Sequence, residues 1–196
     1  MVGSQGALPA ARTVLSNLTS GFPAAVVCVQ HRTPTAGTML VDLLSRTSPL
    51  PVVEASDGSP LEEGVIHVAP ASGQTLVGAG GRFRIDARFP RCLGDPLLMT
   101  LAERYGPRCT AVILSGRLAD GALGLQAVKQ AGGCGLIQAP ASAECRSMPT
   151  AAMATGCFDY ALDPERIGRA LVAMVSCVGG AELLAVRPHP LLGAAA

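Results

Sequence analysis

Short apolar runs alternate along this chain with amphipathic helical segments, and this alternation restricts the fold more than any other feature. The runs are bounded by glycine, proline or polar residues, as buried strands are. The predicted strands cover residues 24–30, 52–53, 65–69, 110–114, 135–138 and 160–162. Strands separated by helices require crossover connections, which favour parallel pairing. The pattern therefore predicts an α/β fold with a doubly wound, mainly parallel sheet.

Three segments carry the helical pattern most clearly. Residues 6–18 place Leu8, Ala11, Val14, Leu15 and Leu18 on one face. Asp95 followed by Pro96 is typical of a helix N-cap and first helical position, and Gly106 predicts the end of that helix. Asp163 and Pro164 open a last helix in the same way. The glycine-rich run 78–81, inside residues 76–85, predicts a small β-hairpin excursion.

The chain reads as one domain. It has no internal repeat and no charged linker, and 196 residues are enough to bury a sizeable core. We predict a folded domain over residues 1–177 and a frayed tail over residues 178–196.

Composition excludes several classes of function. The net charge is +1 with 3% aromatic residues and no basic run, which argues against a nucleic-acid partner. The uncharged stretch 170–181 is too short to span a bilayer, and no signal-peptide pattern is present, so we expect a cytoplasmic protein without membrane insertion. The seven cysteines form no CxxC pair and are interpreted as buried reduced thiols, while the three widely spaced histidines argue against a metal site.

Polar side chains capable of acyl transfer follow three predicted strands. Ser4 lies in a glycine-flanked turn before the first helix, His31 follows the strand at 24–30, and Asp120 lies in the loop after the strand at 110–114. The carboxyl ends of parallel strands meet at one edge of a sheet, where ligands bind. A serine activated by a histidine that a carboxylate orients is a nucleophile for esters. The spacing thus suggests a catalytic triad.

Each of these residues also has an ordinary structural interpretation. Ser4 can cap a helix, His31 can be a merely exposed strand-end residue, and Asp120 before a glycine is typical of a turn. The turn around Ser4 could also cradle a phosphate, but it lacks the GxGxxG pattern and a P-loop lysine. Spacing alone leaves these alternatives open.

Motifs in order along the chain resemble the methylesterase domain of the CheB family, the protein-glutamate methylesterases of bacterial chemotaxis. The resemblance runs from Val2 to about Leu171. The matching segments are Gly3-Ser4-Gln5-Gly6, Gln30-His31, residues 48–52 and 54–58, Val68-Ala69-Pro70, Arg91 and Asp95 ahead of Tyr105-Gly106, Leu114-Ser115-Gly116, Asp120-Gly121-Ala122, and Met148-Pro149. Their nearly gapless spacing makes the resemblance specific.

The resemblance implies a role for each member of the set. Ser4 would be the nucleophile, His31 the general base and then acid, and Asp120 the partner that orients the imidazole. The implied reaction is hydrolysis of glutamyl γ-methyl esters on methyl-accepting chemoreceptors through an acyl-enzyme, releasing methanol, with glutamine deamidation as a related activity. It implies neither a cofactor nor a metal. No receiver domain precedes the esterase domain in this sequence, so a separate receiver or kinase protein is an expected partner.

Departures from the family pattern lie around the expected site. Gln5 and Arg117 replace a threonine and an apolar residue in the oxyanion and substrate loops, and Arg91 lies in the substrate-side segment. Leu118 replaces a glycine, which matters if the position requires a positive φ. These changes leave a second hypothesis open, a catalytically weakened methylesterase-like protein that binds partners in a chemosensory pathway. An esterase of another substrate is a third.

The strand before Ser4 consists of little more than Met1-Val2-Gly3, so we expect the placement of Ser4 to depend on a very short strand.

Overall fold

A seven-stranded sheet forms the centre of the computed structural model, which describes residues 1–32, 39–88 and 93–176. Its strands are β1 (Val2–Gly3), β2 (Val26–Gln30), β3 (Val52–Glu54), β4 (Ile66–Val68), β7 (Thr110–Ile113), β8 (Cys134–Gln138) and β9 (Tyr160–Leu162), while β5 (Gln74–Val77) and β6 (Phe83–Asp86) form a separate hairpin. The spatial order in the sheet is β3-β4-β2-β1-β7-β8-β9, with every neighbouring pair parallel.

Helices cover both faces of the sheet. They are α1 (Ala7–Ser16), α2 (Met39–Ser45), α3 (Gly94–Tyr105), α4 (Ala122–Gln130), α5 (Ser147–Ala154) and α6 (Pro164–Ser176). Apolar residues of α1, α2 and α6 form one core with the sheet, and those of α3, α4 and α5 form the other. Strand β7 serves both cores because its side chains alternate: Val112 faces the first, and Ala111 and Ile113 face the second. The doubly wound parallel sheet is confirmed.

The predicted hairpin is also confirmed. Strands β5 and β6 pair in antiparallel register, with Val77 opposite Phe83, and the glycine-rich run connects them. Gly80 and Gly81 have φ values of 73° and 68°, a conformation that glycine adopts without steric cost. The hairpin lies against α3, outside the main sheet.

The predicted strands agree with the structure to within a residue or two at most ends, but one helix boundary was wrong. Helix α3 begins at Gly94, and its N-cap position is occupied by Leu93, which makes no side-chain cap hydrogen bond. The predicted N-cap role of Asp95 within its own helix is therefore incorrect, because its carboxylate caps a different helix, as described below. Helix α2 was not singled out from the sequence. The predicted tail, residues 178–196, lies outside the described residues, so its structure stays a prediction.

The described cysteines carry no disulfide. Cys28, Cys109 and Cys134 are buried thiols, as predicted, whereas Cys145 and Cys157 are half-buried. Burial raises the pKa of the Cys28 and Cys109 thiols to about 11, which keeps both protonated and unreactive near neutrality. In the part of the chain that the structure describes, no helix is long and apolar enough to cross a membrane.

Candidate active site

The direction of chain winding reverses between β1 and β7, at the middle of the sheet. Strands β2, β4 and β3 lie in that spatial order on one side of β1, whereas β7, β8 and β9 extend on the opposite side. Crevices at such reversals, outside the carboxyl ends of the strands, are where doubly wound sheets bind ligands. The loops that follow β1, β2 and β7 all open at this point, and they carry Ser4, His31 and Asp120 respectively.

Hydrogen bonds to both neighbouring segments fix the backbone of Ser4. Its N–H donates to the Ser115 carbonyl (3.0 Å), and its carbonyl accepts from the Gln30 side-chain amide (2.6 Å). Gly6, with φ 73°, then turns the chain into α1, and a Cβ there would collide with the Glu144 side chain. Two-residue β1 is therefore sufficient to place a half-exposed serine at a strand-to-helix turn.

His31 leaves β2 beside Ser4. Gly3 and Gln30 are opposite each other in the parallel pair β1–β2, and the N–H of His31 donates to the Gly3 carbonyl (3.0 Å). The next residue along each strand is Ser4 and His31, so the two depart from the sheet edge at the same level.

A short hydrogen bond joins His31 to Asp120. The Nε2 atom of His31 lies 2.6 Å from Oδ2 of Asp120, with 27% and 11% of the two side chains exposed. The carboxylate also accepts the backbone N–H groups of Gly94 (2.7 Å) and Asp95 (3.1 Å). Burial alone raises the pKa of Asp120, but hydrogen bonds from His31 and these two N–H groups outweigh it and hold the pKa below its usual value. Because an ionised carboxylate only accepts, we assign the proton of this bond to Nε2, which leaves Nδ1 free to accept a proton.

The structure therefore brings the three predicted triad residues to one edge of the sheet, while their catalytic roles stay a prediction. The side chains of Gln5 and Arg117 are exposed at the rim of the same edge. Gly116, the residue before Arg117, passes close to Ser4, since a Cβ on it would lie 2.9 Å from Cβ of Ser4. Arg91, the predicted substrate-side residue, lies outside the described residues.

Supporting residues of the site were not identified from the sequence. Ser115 is fully buried, and its hydroxyl donates to the Gln5 carbonyl (2.9 Å) while accepting the Cys145 N–H (2.9 Å). Its own N–H donates to Oε1 of Gln138 (2.8 Å), another buried side chain. This network fixes the backbone that follows Ser4. Ser115 and Gln138 lie at or just after strand ends, as Ser4 and His31 do, and sequence position alone does not show which of these side chains is buried.

Burial also distinguishes the two described histidines. His67 on β4 is buried, its Nε2 accepts the Glu62 N–H (3.1 Å), and its ring packs 5.0 Å from that of Phe83. Burial lowers the pKa of His67, which favours a neutral structural imidazole. Among the described residues, no group of three or more histidine, cysteine, aspartate or glutamate side chains is placed to hold a metal ion.

Leu118 occupies a strained position in the loop that carries Asp120. Its φ is 66°, and its side chain is 81% exposed. Leu118 stands where the family pattern has a glycine, a change that matters if the position requires a positive φ. The structure does have a positive φ there. For a residue with a Cβ, this left-handed conformation costs on the order of 1 kcal/mol.

Replacing Leu118 with glycine is expected to raise the free energy of unfolding by about 0.5–1 kcal/mol, because the strain is removed and little buried surface is lost. Leu123 provides the matched control, since it is 59% exposed but lies in the first turn of helix α4. Leu123→Gly should lower the free energy of unfolding by about 0.5 kcal/mol, the lower end of the cost of glycine in a helix. Urea titrations of both variants measure the difference. Equal destabilisation of the two would show that position 118 is not strained.

Comparisons with known proteins agree with this architecture. The family model for CheB methylesterase matches residues 1–171. The chain is 35% identical over 178 residues to protein-glutamate methylesterase/protein-glutamine glutaminase 3 of Geobacter sulfurreducens, covering 86% of this chain and 47% of that protein. It is 34% identical to protein-glutamate methylesterase FrzG of Myxococcus xanthus, covering 89% of this chain and 54% of that protein. The chain thus spans about half the length of these two relatives.

A solved structure has the same fold. The crystal structure of the Thermotoga maritima CheB methylesterase catalytic domain superposes with a TM-score of 0.85 at 31% sequence identity, covering 89% of this chain and 96% of that one. The family model spans β1 to α6 and includes all three strand-end residues. The chain belongs to the CheB methylesterase family.

Proposed function

We propose that this protein is a serine esterase that hydrolyses glutamyl γ-methyl esters on chemoreceptors, in adaptation of a chemotaxis pathway. The observation that carries the proposal is the 2.6 Å bond between His31 and Asp120, formed where β2 ends beside Ser4. An oriented imidazole next to an accessible serine is the arrangement that acyl transfer requires. The names of the relatives from G. sulfurreducens and M. xanthus supply the substrate class.

In the proposed reaction His31 acts first as base and then as acid. Its Nδ1 takes the proton of the Ser4 hydroxyl as Oγ attacks the ester carbonyl, and His31 then protonates the departing methoxide to release methanol. Water, deprotonated by the same nitrogen, cleaves the acyl-enzyme to leave a glutamate carboxylate on the receptor. Asp120 stays ionised throughout and stabilises the imidazolium. With a glutamine substrate the same steps release ammonia.

Donors for the developing oxyanion are available at the turn after Ser4. The N–H group of Gln5 lies at this turn, beside the positive end of the α1 dipole. The Ser115 hydroxyl holds the Gln5 carbonyl, which supports the orientation of that peptide. The exposed guanidinium of Arg117, on the adjacent loop, is the group we assign to substrate contact.

We place the protein in the cytoplasm, with chemoreceptors as substrates and a separate receiver or kinase protein as a further partner. The five cysteines within the described residues form no disulfide, which fits a reducing compartment. The second candidate function is a weakened, binding-only relative, and the strained Leu118 beside Arg117 favours it. The intact bond between His31 and Asp120 favours turnover instead.

The test measures methanol released from membranes whose chemoreceptors carry radiolabelled glutamyl methyl esters. The wild-type protein is compared with His31→Gln and with His67→Gln, which alters the buried structural histidine and preserves an acceptor for the Glu62 N–H. We expect release by the wild type and by His67→Gln, and loss with His31→Gln. Receptor binding without methanol release by the wild type would support the binding-only function, and equal release by all three proteins would rule out the triad.

A further inference from the structure

Two carboxylates cap each other's helices beside the proposed triad. Asp120, just before α4, accepts the N–H groups of Gly94 and Asp95 at the start of α3 (2.7 and 3.1 Å). Asp95, in the first turn of α3, accepts through Oδ1 the N–H of Gly124 in the first turn of α4 (2.7 Å). Each acid therefore satisfies unpaired N–H groups of the other acid's helix.

Close packing makes this exchange of caps possible. A Cβ on Gly124 would lie 3.2 Å from Cα of Asp95 and would collide with the Leu98 side chain. Likewise a Cβ on Gly94 would collide with the side chain of Val2, the residue of β1 that precedes Gly3 and Ser4. The paired helix starts are thus held against one another and against the strand that leads to the nucleophile.

The arrangement brings two acids together at an energetic cost. Burial, and secondarily the nearby charge of Asp120, raises the pKa of Asp95, while the N–H of Gly124 opposes the shift. A neutral cap of the same shape would avoid the repulsion at neutral pH. What Asp95 contributes to its neighbour is therefore the cap on the Gly124 N–H rather than its charge.

We propose that Asp95 is a positioning residue, which fixes the start of α4 against α3 and thereby holds the Asp120 carboxylate on Nε2 of His31. The helix starts contact Asp120 from two sides: α4 begins two residues after it, and the N–H groups of α3 bind its two oxygens. If Gly124 is released from Asp95, the starts of α3 and α4 are no longer held together, and Asp120 loses its fixed position between them. The inference rests on the proposed function only where activity is the readout.

The kinetic test compares Asp95→Ala, which removes the cap, with Asp95→Asn, which keeps an oxygen for Gly124. We expect kcat for methyl ester hydrolysis to fall about 10- to 100-fold in Asp95→Ala with little change in KM, as a small misplacement of a catalytic group causes. Asp95→Asn should stay within a few-fold of the wild type. Asp57→Ala is the matched control, because Asp57 also caps one backbone N–H (Ile85, 2.8 Å) but in the hairpin region, and its kcat should be unchanged.

A double-mutant cycle separates positioning from general loosening of the fold. If Asp95 acts through Asp120, adding Asp95→Ala to Asp120→Ala should lower kcat no further, although each change still lowers the melting temperature. Additive losses of kcat in the double variant would overturn the proposal. If Asp95→Ala does not fold, Asp95→Ser replaces it as the shortened side chain.

A spectroscopic readout does not depend on the reaction. In protein labelled with ¹⁵N-histidine, the proton on Nε2 of His31 should give a downfield, slowly exchanging resonance in the wild type and in Asp95→Asn, and should broaden or move upfield in Asp95→Ala. An unchanged resonance in Asp95→Ala overturns the positioning role, whatever the activity. If the wild type itself hydrolyses no methyl ester but the resonance is present in it and lost in Asp95→Ala, the positioning role is supported and the proposed function is refuted.

Discussion

Changing Ser4 to alanine is expected to lower kcat for methyl ester hydrolysis by about 10⁶-fold, the loss seen when the nucleophile of a serine triad is removed. The alcohol oxygen that forms the acyl-enzyme is absent, and only the binding and oxyanion contributions stay. Methanol release followed from the pre-steady state into the steady state, with substrate in excess, measures the change. Residual hydrolysis in this variant should show no burst, because no acyl-enzyme accumulates.

The same variant should fold as well as the wild type. The Ser4 side chain is half-exposed, and the hydrogen bonds that hold this residue involve its backbone N–H and carbonyl, which alanine retains. Ser45→Ala, an exposed serine at the end of α2, is the matched control and should retain full activity. Substantial methanol release by a folded Ser4→Ala protein would exclude Ser4 as the nucleophile.

Changing Asp120 to asparagine is expected to lower kcat by about 10³- to 10⁴-fold, as in other triads whose carboxylate is replaced by its amide. The side-chain oxygens of Asp120 are committed to the His31 ring and to the N–H groups of Gly94 and Asp95. An amide nitrogen in place of either oxygen would face another N–H donor. We therefore expect the His31 ring to rotate or to adopt the wrong tautomer. The ratio of kcat values for the variant and the wild type at pH 7 measures the effect.

The difference in melting temperature between the wild type and Asp120→Asn should depend on pH in a defined direction. Because the pKa of Asp120 is lowered from its ordinary value of 3.8, its ionised form stabilises the fold above that pH, and this contribution is lost as the pH falls through the lower folded-state value. Asp120→Asn should therefore unfold at a lower temperature than the wild type at pH 7, and the gap should narrow below pH 3.8. A constant gap across this range would show that the charge of Asp120 does not stabilise the fold.

Much of the fold follows from local pattern. Strands such as β2 and β8 are continuous apolar runs that become buried on both faces, and their spacing requires crossover helices. Strand β1 is too short to stand out by pattern. It is fixed by its neighbours, since Val2 pairs with both Val29 and Ile113. The position of Ser4 therefore depended on the resemblance to a known family rather than on periodicity.

The site was less accessible to sequence reasoning because its contacts are non-local. Asp95 before Pro96 satisfies the local rule for an N-cap, but the rule does not include Gly124, which lies 29 positions away in sequence. Ser115 resembles Ser4 in residue type and in its position after a strand, and only the structure shows that Ser115 is fully buried whereas Ser4 is half-exposed. By contrast, the glycine that the family pattern has at position 118 indicates a possible positive φ there, and Leu118 does adopt a positive φ in the structure.

If Ser4 is a nucleophile activated by His31 and Asp120, it should react covalently with a reagent for activated serines. The protein is treated with a small alkylphosphonate ester that reacts with activated serines, digested, and mapped by mass spectrometry. We expect one phosphonyl group per chain, on Ser4, with labelling abolished in His31→Gln and retained in His67→Gln. Labelling of another serine, or equal labelling of Ser4 with and without His31, would contradict it.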